Sequence, residues 1–235
     1  MGKKFVAAAE SFDRETTFTA AAAVAKVKEM AFAKFDESVD AAYLLGIDPK
    51  SADQAIRGTV SLPHGTGKSV RIAVFAEGEA ANAARDAGAD IVGGKELAEE
   101  IAGGRELDFD LTIAAPEFMA EVGKLGRVLG PRGLMPNPKA GTVTPDVAKA
   151  VQEFKAGKVE YRNDRYGNVH VSIGKVSFEP EQLIANLATI TDEILRARPP
   201  SSKGRYVKKL TLSSSMGPGI HIDPGALDEL VATVR

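Results

Sequence analysis

The triplet Gly67-Lys68-Ser69, inside "LPHGTGKSVRIAVFA" at residues 62 to 76, has the residue types of a phosphate-gripping loop. That chemistry needs an earlier glycine, four residues removed from the triplet, and a helix N-terminus behind it, so that backbone N–H groups converge on the phosphates. Leu62 stands where the glycine belongs, and Val70 to Ala76 is an apolar, β-branched run that predicts a buried strand. Pro63, His64, Gly65 and Gly67 are better suited to a hinge leading into a new domain. His64, His170 and His221 have no partners at ligand spacing, so no metal site is predicted. Asp108 and Asp110 in "LDFD" alternate into a strand, the pattern of solvated acids. No serine occupies a nucleophile elbow, and without cysteine there is no thiolate chemistry. Neither a catalytic residue nor a cofactor is expected.

Binding chemistry has more to work with. Lys34-Phe35-Asp36-Glu37-Ser38 sets a large aromatic among charges where a helix gives way to a strand, although Phe35 is also of a type that fills cores. Arg162-Asn163-Asp164-Arg165-Tyr166 puts two guanidinium groups and a ring at a turn, a combination suited to phosphates and stacked bases and also common at solvated tips. In Ser213-Ser214-Ser215-Met216-Gly217-Pro218-Gly219, small hydroxyls beside glycines allow close backbone approach and hydrogen bonds to a sugar or phosphate; a mere linker has no use for Met216. Between Glu121 and Asp146 there is no acid, yet Lys124, Arg127, Arg132 and Lys139 sit among glycines and prolines as a local positive loop.

These groups need elements to hold them. A chain of 235 residues with 44% hydrophobic content can bury one large core or two small ones. The absence of cysteine fits a reducing compartment. Met1-Gly2-Lys3-Lys4-Phe5 lacks the apolar centre of a signal peptide, and no stretch reaches membrane-span length, which predicts a soluble cytoplasmic protein. The net charge of −2 speaks against bulk phosphate neutralisation, but it hides a gradient. Residues 1–66 carry 8 basic and 9 acidic side chains, residues 67–156 carry 11 and 14, and residues 157–235 carry 11 and 9.

A helix is predicted over 17–33 with Thr17 as cap, then a strand through Val39, Ala41, Tyr43 and Leu45, closed by Gly46 and Asp48-Pro49. From Ser69 strands at 70–76, 89–94 and 110–115 alternate with helices near 80–87, 96–102, 117–128 and 146–155, the pattern of a parallel sheet covered by helices. Residues 158–175 read as a hairpin turning at Gly167 or Asn168, followed by a helix over 180–198 and a strand over 205–215. Neither end of the chain makes a core alone. Together they supply one antiparallel sheet with helices on a single face, so residues 67–156 form a domain inserted into an outer one made of 1–66 and 157–235, with Gly157 at the second crossing.

The motifs "AKFDES", "RGTVSLPHGTGK", "GADIVGG", "KLGRVLGPRGLMPNPKAGTVTPDV", "AGKVEYRND", "IGKVSF" and "SSSMGPG", in this order, cover nearly the whole chain. Through them it resembles the universal ribosomal stalk protein family, that of bacterial large-subunit ribosomal protein one. The resemblance implies an α/β protein of two domains, an outer α+β sandwich from both termini and an inserted Rossmann-like three-layer α/β domain. It implies a structural part of the 50S subunit that binds the 23S rRNA stalk near the E site, helps release the deacylated E-site tRNA, and represses its own operon through the leader mRNA. Lys34, Phe35 and Ser38 match the family's RNA-binding motif, and Ser215, Met216, Gly217 and Pro218 its RNA-facing loop, which Ser213 and Ser214 precede. Arg162, Arg165 and His170 lie in the matching hairpin. The loop of Lys124, Arg127, Arg132 and Lys139 would face the tRNA. Ser38 and Ser213 to Ser215 stand where the family commonly has threonine, and Val171-Ser172 where Ala-Pro is usual. A reading from another class remains: a small-molecule or nucleotide-phosphate enzyme using the inserted domain, whose architecture often binds nucleotides at strand ends.

Overall fold

The computed structural model describes residues 2–51 and 53–232. The chain divides into two compact units, one made of its beginning through Lys68 and its end from Val159, the other of Ser69–Lys158 between them.

The first unit opens with a helix that the sequence pattern does not announce, α1 (Lys3–Glu10), and then a two-residue strand, β1 (Thr17–Phe18). The helix expected over 17–33 is shorter: α2 spans Ala20–Met30, and its cap is Thr19, whose hydroxyl accepts from the Ala22 N–H at 3.4 Å. Thr17 and Phe18 are instead drawn into parallel pairing with residues 221 and 222, a partner far beyond any local window. β2 (Ser38–Leu45) follows with Val39, Ala41, Tyr43 and Leu45 buried, as the alternation predicts, and then β3 (Arg57–Ser61).

In the inserted unit, β4 (Ile72–Phe75), α3 (Gly78–Asp86), β5 (Ile91–Gly93), α4 (Lys95–Ala102), β6 (Leu111–Ala114), α5 (Met119–Lys124), α6 (Gly126–Leu129) and α7 (Val147–Lys155) follow in turn. The sheet is parallel, in order β5-β4-β6. All four residues of β4 are buried, which requires cover on both faces. That cover comes from contacting pairs of helices, α3 with α7 and α4 with α5.

Back in the first unit come β7 (Lys158–Arg162), β8 (Asn168–Lys175), α8 (Pro180–Arg196), β9 (Val207–Ser214), β10 (Ile220–Ile222) and α9 (Leu227–Ala232). The turn between β7 and β8 is as expected, with Gly167 at φ 83 supplying the left-handed position. The two strands are not a hairpin. β7 pairs with β3 in a separate two-stranded sheet, and only the bridge Asn163↔Val169 joins it to β8. Asn163 fixes this divergence, since its side-chain oxygen accepts from the Ile56 N–H at 2.7 Å and its own N–H donates to the Ile56 carbonyl at 3.0 Å. The main sheet has the order β1-β10-β9-β2-β8 and is antiparallel except for β1 on β10. One of its faces packs on α2 and α8. There Leu183, Leu187, Ile190 and Ile194 meet Tyr43, Ile173, Leu210 and Leu212, each burial contributing about 1.5–3 kcal/mol. Tyr43 is buried, so its hydroxyl needs a partner. It donates to Thr191 Oγ1 at 2.9 Å, because that hydroxyl already donates to the Leu187 carbonyl.

Candidate nucleic-acid interface

Where β9 ends and β2 begins, two segments of chain converge on one buried carboxylate. Glu37 is 1% exposed. Its Oε1 accepts from the N–H groups of Phe32 at 3.0 Å and Ala33 at 2.7 Å, and its Oε2 from the N–H of Met216 at 2.9 Å. Burial pushes its carboxyl up, but the Ser214 hydroxyl and the N–H groups of Ala33, Met216 and Phe32 outweigh that and hold it below its ordinary value. Glu37 therefore ties the 31–37 connection to the loop after β9. Sequence reading placed Glu37 in the motif without singling it out. In the sequence it is the second of two adjacent acids, Asp36-Glu37, which looks the same as a solvated loop residue.

On this frame stand Phe35, 59% exposed, and Met216, 51% exposed. Lys34 and Ser215 are exposed beside them. Ser215 Oγ accepts from the Ser38 N–H at 3.0 Å, and Lys175 donates to Ser38 Oγ at 3.1 Å and to the Asp36 carbonyl at 3.2 Å. Asp36 in turn accepts from the Ser177 hydroxyl at 2.7 Å and N–H at 3.1 Å. Gly217 donates to Ser214 Oγ at 3.1 Å, and a Cβ on Gly217 would lie 2.5 Å from that oxygen, so the loop's tightness depends on glycine. Ser214 and Pro218 are buried; they shape the loop from beneath. A groove of about 480 Å³ beside Met216 is lined by residues 2–5 and Phe32, bringing Lys3 and Lys4 next to the loop. Together this end presents preformed apolar surface, hydroxyls and ammonium groups, suited to bases and backbone of a folded RNA.

The remaining candidates lie elsewhere. Ser38 pairs with Lys175 and Leu44 with Asn168, so the turn carrying Arg162, Arg165 and Tyr166 is at the opposite end of β2, roughly 20 Å away. Asp164 builds that turn, accepting from the N–H groups of Tyr166 and Asn168, both at 2.8 Å. Arg165 stands 5.0 Å over the ring of Tyr166, which is 66% exposed. His170 reaches within 3.9 Å of Asp164. The side of the sheet away from the helices links the two ends, since His170, Ala42, Thr211 and His221 are paired in sequence across four strands, and Ser172, Asp40 and Ser213 form the next row.

Of the hinge candidates, Gly65, Gly67 and Gly157 have φ of 64, 67 and 112. Asn186, buried in α8, accepts from the His64 N–H at 3.2 Å and donates to the carbonyls of Gly65 at 2.9 Å and Ile173 at 2.8 Å. Gly67-Lys68-Ser69 leads into strand β4 and not into a helix, so no phosphate cradle forms there. In the inserted unit Arg127, Arg132 and Lys139 are exposed, while Lys124 pairs with Glu121 at 2.6 Å. No cluster of metal-ligating side chains occurs among the described residues, and no helix in them is long and apolar enough to cross a membrane.

Residues 27–218 match the model of the ribosomal protein L1p/L10e family. Similar proteins include the large ribosomal subunit protein uL1 of a Nocardioides species, 58% identical over 222 residues that cover 94% of this chain and 92% of the relative. The protein of the same name from Thermobifida fusca is 56% identical over 227 residues, covering 97% and 96%. That from Cutibacterium acnes is 58% identical over 224 residues, covering 95% and 96%.

Proposed function

Because the chain belongs to the ribosomal protein L1p/L10e family and is a ribosomal protein of the large subunit, not an enzyme, we propose that it binds 23S rRNA directly at the mobile stalk near the E site. The observation that carries this reading is the pair of exposed apolar side chains, Phe35 and Met216, held on one rigid frame by Glu37. A soluble surface gains nothing from such a pair, whereas an RNA with unstacked bases and a curved backbone does. Lys34 and Ser215 supply polar groups around it, with Ser38 buried beneath them and engaged by Lys175, and a chain of net charge −2 depends on such fitted contacts more than on bulk attraction. Leader mRNA of the protein's own operon would use the same surface by imitating the rRNA. The exposed Arg127, Arg132 and Lys139 of the inserted unit would meet the departing E-site tRNA, with Lys124 nearby.

The test is binding of the full chain to a stalk fragment of 23S rRNA against an unrelated folded RNA of equal length, across a salt series. A strong preference for the stalk that persists as salt rises is expected, and Met216→Asp should weaken it by on the order of 2 kcal/mol, about thirtyfold. Equal, salt-sensitive binding to both RNAs would overturn the reading. Unchanged affinity in the folded variant would remove Met216 from the interface.

A further inference from the structure

The far end of the main sheet carries a cleft of about 440 Å³ that neither the motifs nor the interface above accounts for. Arg14 enters it from the segment after α1, Arg205 from just ahead of β9, and Lys208 and Lys209 from β9 itself. All four are exposed. Among the described residues none of them has a carboxylate within ion-pair distance; Arg14 instead stands 5.9 Å over the ring of Phe5. Two acids, Glu15 and Asp223, share the cleft, and Asp223 is engaged in its own turn, accepting from the Gly225 N–H at 2.8 Å. The cleft therefore keeps a surplus of two positive charges in a chain whose net charge is −2.

We propose that this cleft grips the phosphate backbone of the same RNA whose bases and sugars meet the Phe35 and Met216 end, making the main sheet's open side one continuous RNA surface. The proposal rests on the RNA-binding reading above. Position argues for it. Lys209, Thr211 and Ser213 occupy alternate places on β9, so one face of that strand runs from the cleft to the loop that holds Met216. The four steps from Lys209 to Ser213 cover roughly 13 Å, a few nucleotides of backbone. Chemistry argues the same way. Four cations gathered without partners repel one another, and a polyanion relieves that repulsion while releasing its own counterions.

The experiment is the salt series on the stalk RNA with the full chain and its Arg205→Gln/Lys208→Gln variant; both side chains are exposed, so the fold is retained. A charge-matched control, Arg85→Gln/Lys149→Gln, alters the inserted unit. Losing two phosphate contacts should reduce the slope of log affinity against log salt by about 1.5 and weaken binding about tenfold near physiological salt, with the control unchanged. If the unaltered chain binds and the cleft variant matches it in slope and affinity, or if the control loses as much, the cleft is not an RNA contact while the RNA reading stands. If the unaltered chain shows no preference for the stalk, that reading falls and this proposal with it.

Discussion

Glu37 is a charge placed inside the protein, and its surroundings decide whether it helps or harms. Four donors converge on it, so the ionised form is the stable one. Its carboxyl is held below the ordinary glutamate value of 4.5, and the sign follows. The stabilisation is fully present above the unfolded value and is lost as pH falls through the lower folded one. Glu37→Gln should cost about 2 kcal/mol of unfolding free energy at pH 7 by trading charge-assisted hydrogen bonds for neutral ones. That difference should shrink as pH drops below about 4.5, which denaturant titrations of both chains across pH 3 to 7 would show; an equal difference at every pH would mean that ionisation of Glu37 is not what matters. The site is only half legible at this scale. Met216 stands out in the sequence because a mere linker has no use for it, whereas Phe35 among charges reads equally as a core residue. Glu37 does not stand out, because its burial is created by a partner 179 positions later, at Met216. Ser214 was equally opaque: a hydroxyl in a run of three serines gives no sign of which one turns inward.

Among the elements, α8 carries the most weight in the first unit. Its apolar face packs on the sheet, and Asn186 within that face is buried with three hydrogen bonds to the backbone of residues 64, 65 and 173. Asn186→Leu should lower unfolding free energy by on the order of 3 kcal/mol, because it strands an N–H and two carbonyls in the interior. Chemical denaturation would measure this, and a loss below about 1 kcal/mol would show that water replaces the amide. The helix itself was readable, with Pro180 at its start and Leu183, Leu187, Ile190 and Ile194 at helical spacing. So was β2, whose burial alternates from Val39 to Leu45. What failed were elements defined by distant partners. Thr17 has the character of a cap, yet pairing with β10 claims it for a strand. The turn at Gly167 has hairpin chemistry, yet β7 finds β3 instead of β8, and nothing local to either strand announces that choice.

At the scale of the molecule, the RNA surface proposed above belongs wholly to the unit built from the chain's two ends, and the inserted unit has its own core and its own sheet. Replacing residues 69–158 by a short glycine-rich linker should therefore leave stalk RNA affinity within about threefold, measured by the same titration. A collapse of affinity in a folded deletion variant would move part of the interface into the inserted unit. The alternation of strands and helices made that unit legible, because each parallel step is short and local; the discontinuous unit was legible only as a remainder, two incomplete halves. Its strand order also sets a schedule. β2 lies between β8 and β9, and Val207 is added about 160 residues after Leu45. At roughly 5–20 residues per second, the nascent chain waits some 8–30 s with β2 unpaired on that side, while the inserted unit has every strand it needs. Met216 is made after that wait, so a chain abandoned before residue 216 never acquires the loop that Glu37 holds. On the RNA-binding reading proposed above, copies terminated before that residue would not compete with finished ones for the RNA.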